Sequence, residues 1–163
     1  MKKITTLFLA AALMIVTSFS TITTAEASSH ASPNAEIILL ENGDYLETTI
    51  SDVPILSSGL AVFSAASTVT KKKTTYYKNE NGTVLWSVAI TATFTYDGTT
   101  SKCTSYSHNT TCLSKAWKIK SASSSKSGNS ATAKATATKS IDGTTTDITK
   151  TVTITCSKNG VVS

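Results

Sequence analysis

Three cysteines, two histidines and a short run of lysines are the residues of this chain whose types and spacing could do chemistry. His108 and Cys112 stand four positions apart, which puts both on one face of a strand. An imidazole beside a thiol is the arrangement that makes a nucleophile. The simpler reading is a surface histidine and a structural thiol, since no acid lies near His108 in sequence to orient it. A Ser/His/Asp set can be drawn from His108, Asp97 or Asp142 and many serines. In a chain this rich in Ser and Thr such a match has no specificity, and there is no Gly-x-Ser-x-Gly turn to expose a nucleophilic serine. Asp97, Asp142 and Asp147 fall at turns or strand starts, where Asp serves the backbone. No His or Cys spacing suits a metal. The residues therefore predict a protein that is not an enzyme and takes no cofactor.

The lysines point instead to a partner. Lys71-Lys72-Lys73 with Tyr76-Tyr77 forms a basic, aromatic patch suited to an anionic cell-wall polymer, a membrane surface or a glycan. The competing explanation is that lysines guard an edge strand against aggregation. All 15 basic residues are Lys. Arg supplies the bidentate contacts to phosphate and guanine, so its absence argues against nucleic acid. The alternation of Ala with Thr or Lys from Ala131 to Thr155 resembles the inserting hairpins of pore-forming toxins, though an ordinary surface hairpin accounts for it. A secreted antimicrobial or membrane-active protein is the corresponding alternative function.

The compartment is legible at the N-terminus. Met1-Lys2-Lys3, an apolar run from Ile4 to Val16 and Ala25-Glu26-Ala27 follow the plan of a secretory signal peptide. The run is shorter than the roughly 20 residues needed to span a bilayer. Residues 1–27 are thus expected to be removed and the rest released outside a Gram-positive bacterium. Without Lys2, Lys3 and Glu26, the formal charge falls from +5 to +4. The remainder is long enough for one domain with its own core.

The elements that must position these residues read as strands. Asn42-Gly43 between β-prone runs predicts a hairpin. Residues 28–67 are expected to hold that hairpin and a linker, with a break from Asp52 to Ser67 that could be a processing site. Residues 68–163 are expected to form the main domain. Thr68–Lys78 is one strand. Thr83–Tyr96 is a second, with Val84, Trp86, Val88, Ile90, Ala92, Phe94 and Tyr96 sharing one parity. Asp97-Gly98 turns into Lys102–Thr111. Leu113–Ser121 follows, with Trp117 and Ile119 inward, and Ser123–Asn129 reads as a loop. Ala131–Lys139, a turn at Asp142-Gly143 and Thr146–Cys156 complete the set. No segment carries a helical stripe. The fold class is all-β, an antiparallel β-sandwich, with the hairpin added at an edge or loosely attached.

In an exported chain a disulfide is permitted. Cys156 shares the parity of Val152 and Ile154, so Cys103–Cys156 would staple the last strand to the middle of the domain. Cys103–Cys112 is the local alternative. The order Cys103, Trp117, Cys156 resembles that of immunoglobulin domains in general architecture. Ile154 stands where that family has its corner tyrosine, so the topology does not follow.

Residues from about Glu47 onward also resemble an uncharacterised family of small secreted Firmicutes β-rich proteins. The motifs are Leu46-Glu-Thr-Thr-Ile50, Tyr77-Lys-Asn-Glu-Asn-Gly-Thr-Val-Leu-Trp-Ser87, Phe94-Thr-Tyr-Asp-Gly98 with Cys103, Lys126-Ser-Gly-Asn129, and Val152-Thr-Ile-Thr-Cys156 with Asn159-Gly160. The resemblance implies a Cys103–Cys156 pair with Cys112 additional. It brings no activity and no catalytic residue. Sequence alone therefore predicts a secreted, non-enzymatic binding protein.

Overall fold

Alternation of β-branched or aromatic residues with Ser, Thr and Lys commits this chain to strands. The computed structural model contains eight of them: β1 (Glu36–Leu39), β2 (Tyr45–Asp52), β3 (Ser67–Lys78), β4 (Val84–Tyr96), β5 (Ser101–Cys112), β6 (Trp117–Ser127), β7 (Ser130–Ile141) and β8 (Thr144–Thr155). The structure describes residues 35–54 and 66–163. The expected signal peptide and most of the expected break lie outside the described residues. Those described all fall in one unit, Ala31–Ser163.

The strands form two antiparallel sheets, β1-β2-β3-β4-β5 and β6-β7-β8. The Asn42-Gly43 hairpin forms as expected. Its second strand pairs with β3 from Tyr45↔Lys78 to Asp52↔Lys71, so the hairpin extends the sheet. Strand β3 is therefore internal, and its lysines guard no edge.

Period two sorts each strand. Trp86, Val88, Ile90, Ala92 and Phe94 of β4 are buried together with Ala131, Ala133, Ala135 and Ala137 of β7 and Val152 and Ile154 of β8, in one cluster shared by both sheets. The opposite parity carries hydroxyls that hydrogen-bond across strands: Thr70 to Thr93, Ser87 to Thr111, Thr132 to Thr153 and Thr136 to Thr149, at 2.8–3.0 Å. Such cross-strand pairs contribute roughly 0.2–1 kcal/mol each, which gives much of the Ser/Thr content a structural role.

One expectation needs correction. Strand β6 starts at Trp117, later than Leu113, and runs on to Ser127 through the segment read as a loop. Its serines are in register with the alanine stripe: Ser124 faces Ala133 and Lys126 faces Ala131. A low-propensity Ser run becomes a strand because β7 supplies a full ladder. Gly128, at φ 55°, lets the chain reverse tightly enough to do so. The expected placement of Trp117 and Ile119 inward holds, and a register shift between Ile119 and Ser121 changes the alternation beyond it.

The alanine stripe is fully enclosed: Ala133, Ala135 and Ala137 expose nothing. Their small size sets how closely the cluster packs. Ala133→Leu should therefore destabilise the fold by about 1–3 kcal/mol through overpacking. Urea denaturation measures this, and an unchanged midpoint would contradict the tight packing.

Candidate functional site

The basic, aromatic run does not stay together. Successive residues of a strand point to opposite sides. Lys71, Lys73 and Tyr77 go to one face of the sheet, and Lys72 and Tyr76 to the other. Lys71 forms an ion pair with Asp52. Tyr77 is buried at 2 % exposure. Its hydroxyl donates to Asp44 Oδ2 at 2.9 Å, and burial pushes its pKa up. Lys73 lines a small cavity of about 190 Å³ with Glu36, Ile38, Lys150 and neighbours. On the far side, the ammonium of Lys78 lies near the rings of Tyr45 and Tyr76 and pairs with Glu47 at 2.7 Å. The five expected patch residues are thus divided by the pleat and partly absorbed into the fold.

His108 and Cys112 do share a face of β5, but each has other partners. His108 Nδ1 lies 2.7 Å from Ser124 Oγ. The Cys112 thiol donates to the Trp117 carbonyl at 3.1 Å.

The expected Cys103–Cys156 bond is absent, and all three cysteines are free thiols. The amides of Cys103 and Cys156 donate to consecutive carbonyls, Gly128 O and Asn129 O, at 2.9 and 3.0 Å. Parity and turn thus place the two backbones against one turn, as the sequence suggested. The sulfurs, however, engage local carbonyls, Ser105 O and Ser157 O, at 3.4 Å each. Burial raises the pKa of the Cys103 thiol, against a smaller lowering by Lys126. Cys112 is only half-buried, whereas Cys103 and Cys156 are 1 % and 0 % exposed. A maleimide should therefore label Cys112 alone in native protein and all three cysteines in guanidinium. Intact-mass measurement reads the count, and a single label after denaturation would mean that Cys103 and Cys156 are bonded.

A second concentration of lysines surrounds a larger cavity of about 590 Å³. It is lined by Lys115 and Ala116, by Trp117, Lys118, Ile119 and Lys120 at the start of β6, and by Thr138 and Ser140 from the end of β7. Its volume is within the range of about 300–1,000 Å³ usual for small-molecule sites. Trp117 among these residues is fixed by packing in the core. Trp117 is 6 % exposed and packs on Tyr77 and Trp86 at ring distances of 5.2 and 6.2 Å, and Tyr77 stacks on Trp86 at 5.8 Å. This aromatic triple joins β3 and β4 of one sheet to β6 of the other. Antiparallel register places Lys139 opposite Trp117, with its ammonium 5.8 Å from the indole.

The charges around this cavity are not balanced. Asp147 accepts from Lys120 and from the Thr138 hydroxyl, which together hold its carboxyl below the usual range, Lys120 contributing most. Lys115, Lys118 and Lys139 enter no ion pair among the described residues. Sequence reading missed this site because Lys115, Lys118 and Lys120 alternate with other residues, and Lys139 comes from another strand. The available signal was Trp117, a large aromatic set among three lysines, Lys115, Lys118 and Lys120. No known protein family, curated protein or solved structure matches the chain.

Proposed function

We propose that this is a secreted, non-enzymatic β-sandwich protein that binds an anionic polymer at the cell surface through the lysine-rimmed cavity over Trp117. The carrying observation is the charge arrangement: Lys115, Lys118 and Lys120 line one cavity, Lys139 lies near its Trp117, and the Asp147 carboxylate is already paired with Lys120. Lysine ammonium groups on flexible stems act as point charges for phosphate or carboxylate. The sandwich reading is supported by the single buried cluster drawn from both sheets. Export rests on the tripartite N-terminus, and the motif resemblance to small secreted Firmicutes proteins agrees with it.

Purified protein should bind long-chain polyphosphate, more weakly as salt rises and charges are screened. The double variant Lys115→Glu with Lys118→Glu should bind about tenfold more weakly or worse, as loss of charge complementarity requires. Equal binding by the variant would remove this site from the reading. Strong dye leakage from phosphatidylglycerol vesicles would favour the membrane-active alternative.

A further inference from the structure

The two sheets are joined along one side and open along the other. Between β5 and β6 the Cys103 amide donates to Gly128 O at 2.9 Å, and Lys126 donates to Thr104 O at 2.6 Å. On the opposite side β1 and β8 are edge strands, each with one side unpaired among the described strands. β8 packs near β3 and β4, but no strand of the small sheet has a Cα within 8 Å of β1 or β2. The five-stranded sheet thus overhangs the three-stranded one by the β1–β2 hairpin. Ile38 shows the consequence. It stands opposite Leu46 of the buried cluster, so it faces inward, yet it is 48 % exposed. The charges at this mouth are open as well. Register sets Glu36 in line with Thr48 and Thr75, Lys73 with Ile90, and Lys150 with Ala135, all on the inward side. Glu36, Lys73 and Lys150 line the cavity of about 190 Å³ there and enter no ion pair among the described residues.

From this overhang we infer that the protein pairs with a second copy of itself, the β1–β2 hairpin of each chain filling the gap beside β8 of the other. A two-fold axis along the strands, midway between the layers, makes the exchange. It carries the overhang of one copy into the layer of the other copy's small sheet, and inward side chains stay inward. Width fits, because a two-strand overhang on each chain leaves room for two strands of its partner. Direction fits too. β4 and β8 run toward one end of the molecule, where Gly98 N donates to Lys158 O, and β1 runs against β4. Rotation about this axis keeps strand direction, so the partner's β1 meets β8 antiparallel and continues its ladder.

Level along the strands completes the match. Glu36 and Lys150 already line one cavity, and the rotation does not shift them along the strands. The partner's Glu36 therefore comes opposite Lys150, which puts the partner's Ile38 opposite Ile148. An inward lysine on an edge strand ordinarily prevents pairing; here each copy supplies the carboxylate that neutralises the other's Lys150, with Lys73 close by. Ile38 is covered by the partner hairpin, which removes its apolar surface from water. The cavity over Trp117 lies at β6, the far edge of the small sheet from β8, so pairing leaves it open. The inference does not depend on what that cavity binds.

Sedimentation equilibrium of purified protein tests the pairing. The mass should be twice that of the chain at micromolar concentration. Glu36→Lys and Lys150→Glu should each weaken the dimer by at least about tenfold, because each sets like charges opposite one another at two symmetric contacts. An equal mixture of the two variants should restore a dimer, since each chain then meets opposite charge at both contacts. Glu36 is exposed and Lys150 half-buried, and unchanged circular dichroism would show that both variants fold. A wild-type protein that stays monomeric up to millimolar concentration overturns the inference. A dimer that neither charge reversal weakens uses another surface and overturns it equally. A mixture that remains monomeric overturns the pairing of β1 with β8.

Discussion

Trp117→Ala should lower the stability of the protein by about 3–5 kcal/mol, the range for deleting a buried aromatic side chain. The residue is nearly inaccessible, and its ring meets both Tyr77 and Trp86. Each such aromatic pair is worth roughly 0.5–1.5 kcal/mol beyond its buried area. The loss is concentrated where β6 of one sheet meets β3 and β4 of the other. Against a total stability of about 5–15 kcal/mol, the thermal midpoint should fall on the order of 10–20 °C. Trp117→Phe keeps a ring in the triple and should cost much less. Scanning calorimetry on the two variants separates these outcomes, and equal midpoints would show that the triple does not hold the sheets together.

Gly160→Ala should be nearly as damaging despite adding one methyl group. Gly160 has φ of 82°, a conformation that costs an L-residue roughly 1–2 kcal/mol. A Cβ there would also lie under 3.0 Å from three atoms of the Tyr96 ring. Tyr96 ends β4, and the tail beyond β8 is tied back by the Cys156↔Val162 bridge and by paired bonds between Thr155 and Ser163, both at 2.9 Å. Moving either partner disturbs this closure, adding about 1–3 kcal/mol for overpacking. Gly98 has nearly the same φ, 83°, with nothing within 4 Å of its Cβ position. Gly98→Ala therefore measures the backbone term alone. The difference in urea midpoint between the two variants reports the clash, and matching midpoints would contradict it.

The strands were largely legible because period two is strong where one face is buried. Trp86 through Phe94 gave β4 almost to the residue, and Asn42-Gly43 and Asp142-Gly143 marked their turns. At Asp142 and Gly143 both residues have positive φ, 48° and 79°, as the tightest hairpin turns require. The serines from Ser121 to Ser127 gave no such signal, since their strand state comes from pairing with β7 rather than from their own preference. Side-chain placement was harder to read. The Lys71–Tyr77 patch looked continuous in sequence, but the pleat divides it and Asp52 takes one of its charges. The lysine-rimmed cavity was hard to see for the converse reason: Lys139 reaches Trp117 only through the β6–β7 register, and Thr138 and Ser140 join Lys118 and Lys120 from another strand. The thiols differ again. Parity and turn brought the backbones of Cys103 and Cys156 to one place, whereas their thiols engage separate local carbonyls, Ser105 O and Ser157 O.

The most direct test of the account is a map of the bound site. In ¹⁵N-labelled protein titrated with long-chain polyphosphate, the amide shifts should concentrate at residues 115–120 and 138–140, leaving β3 around Lys71–Tyr77 unmoved. Shifts centred on Lys71, Lys72 and Lys73, or spread evenly over both sheets, would contradict the assignment of binding to the cavity over Trp117.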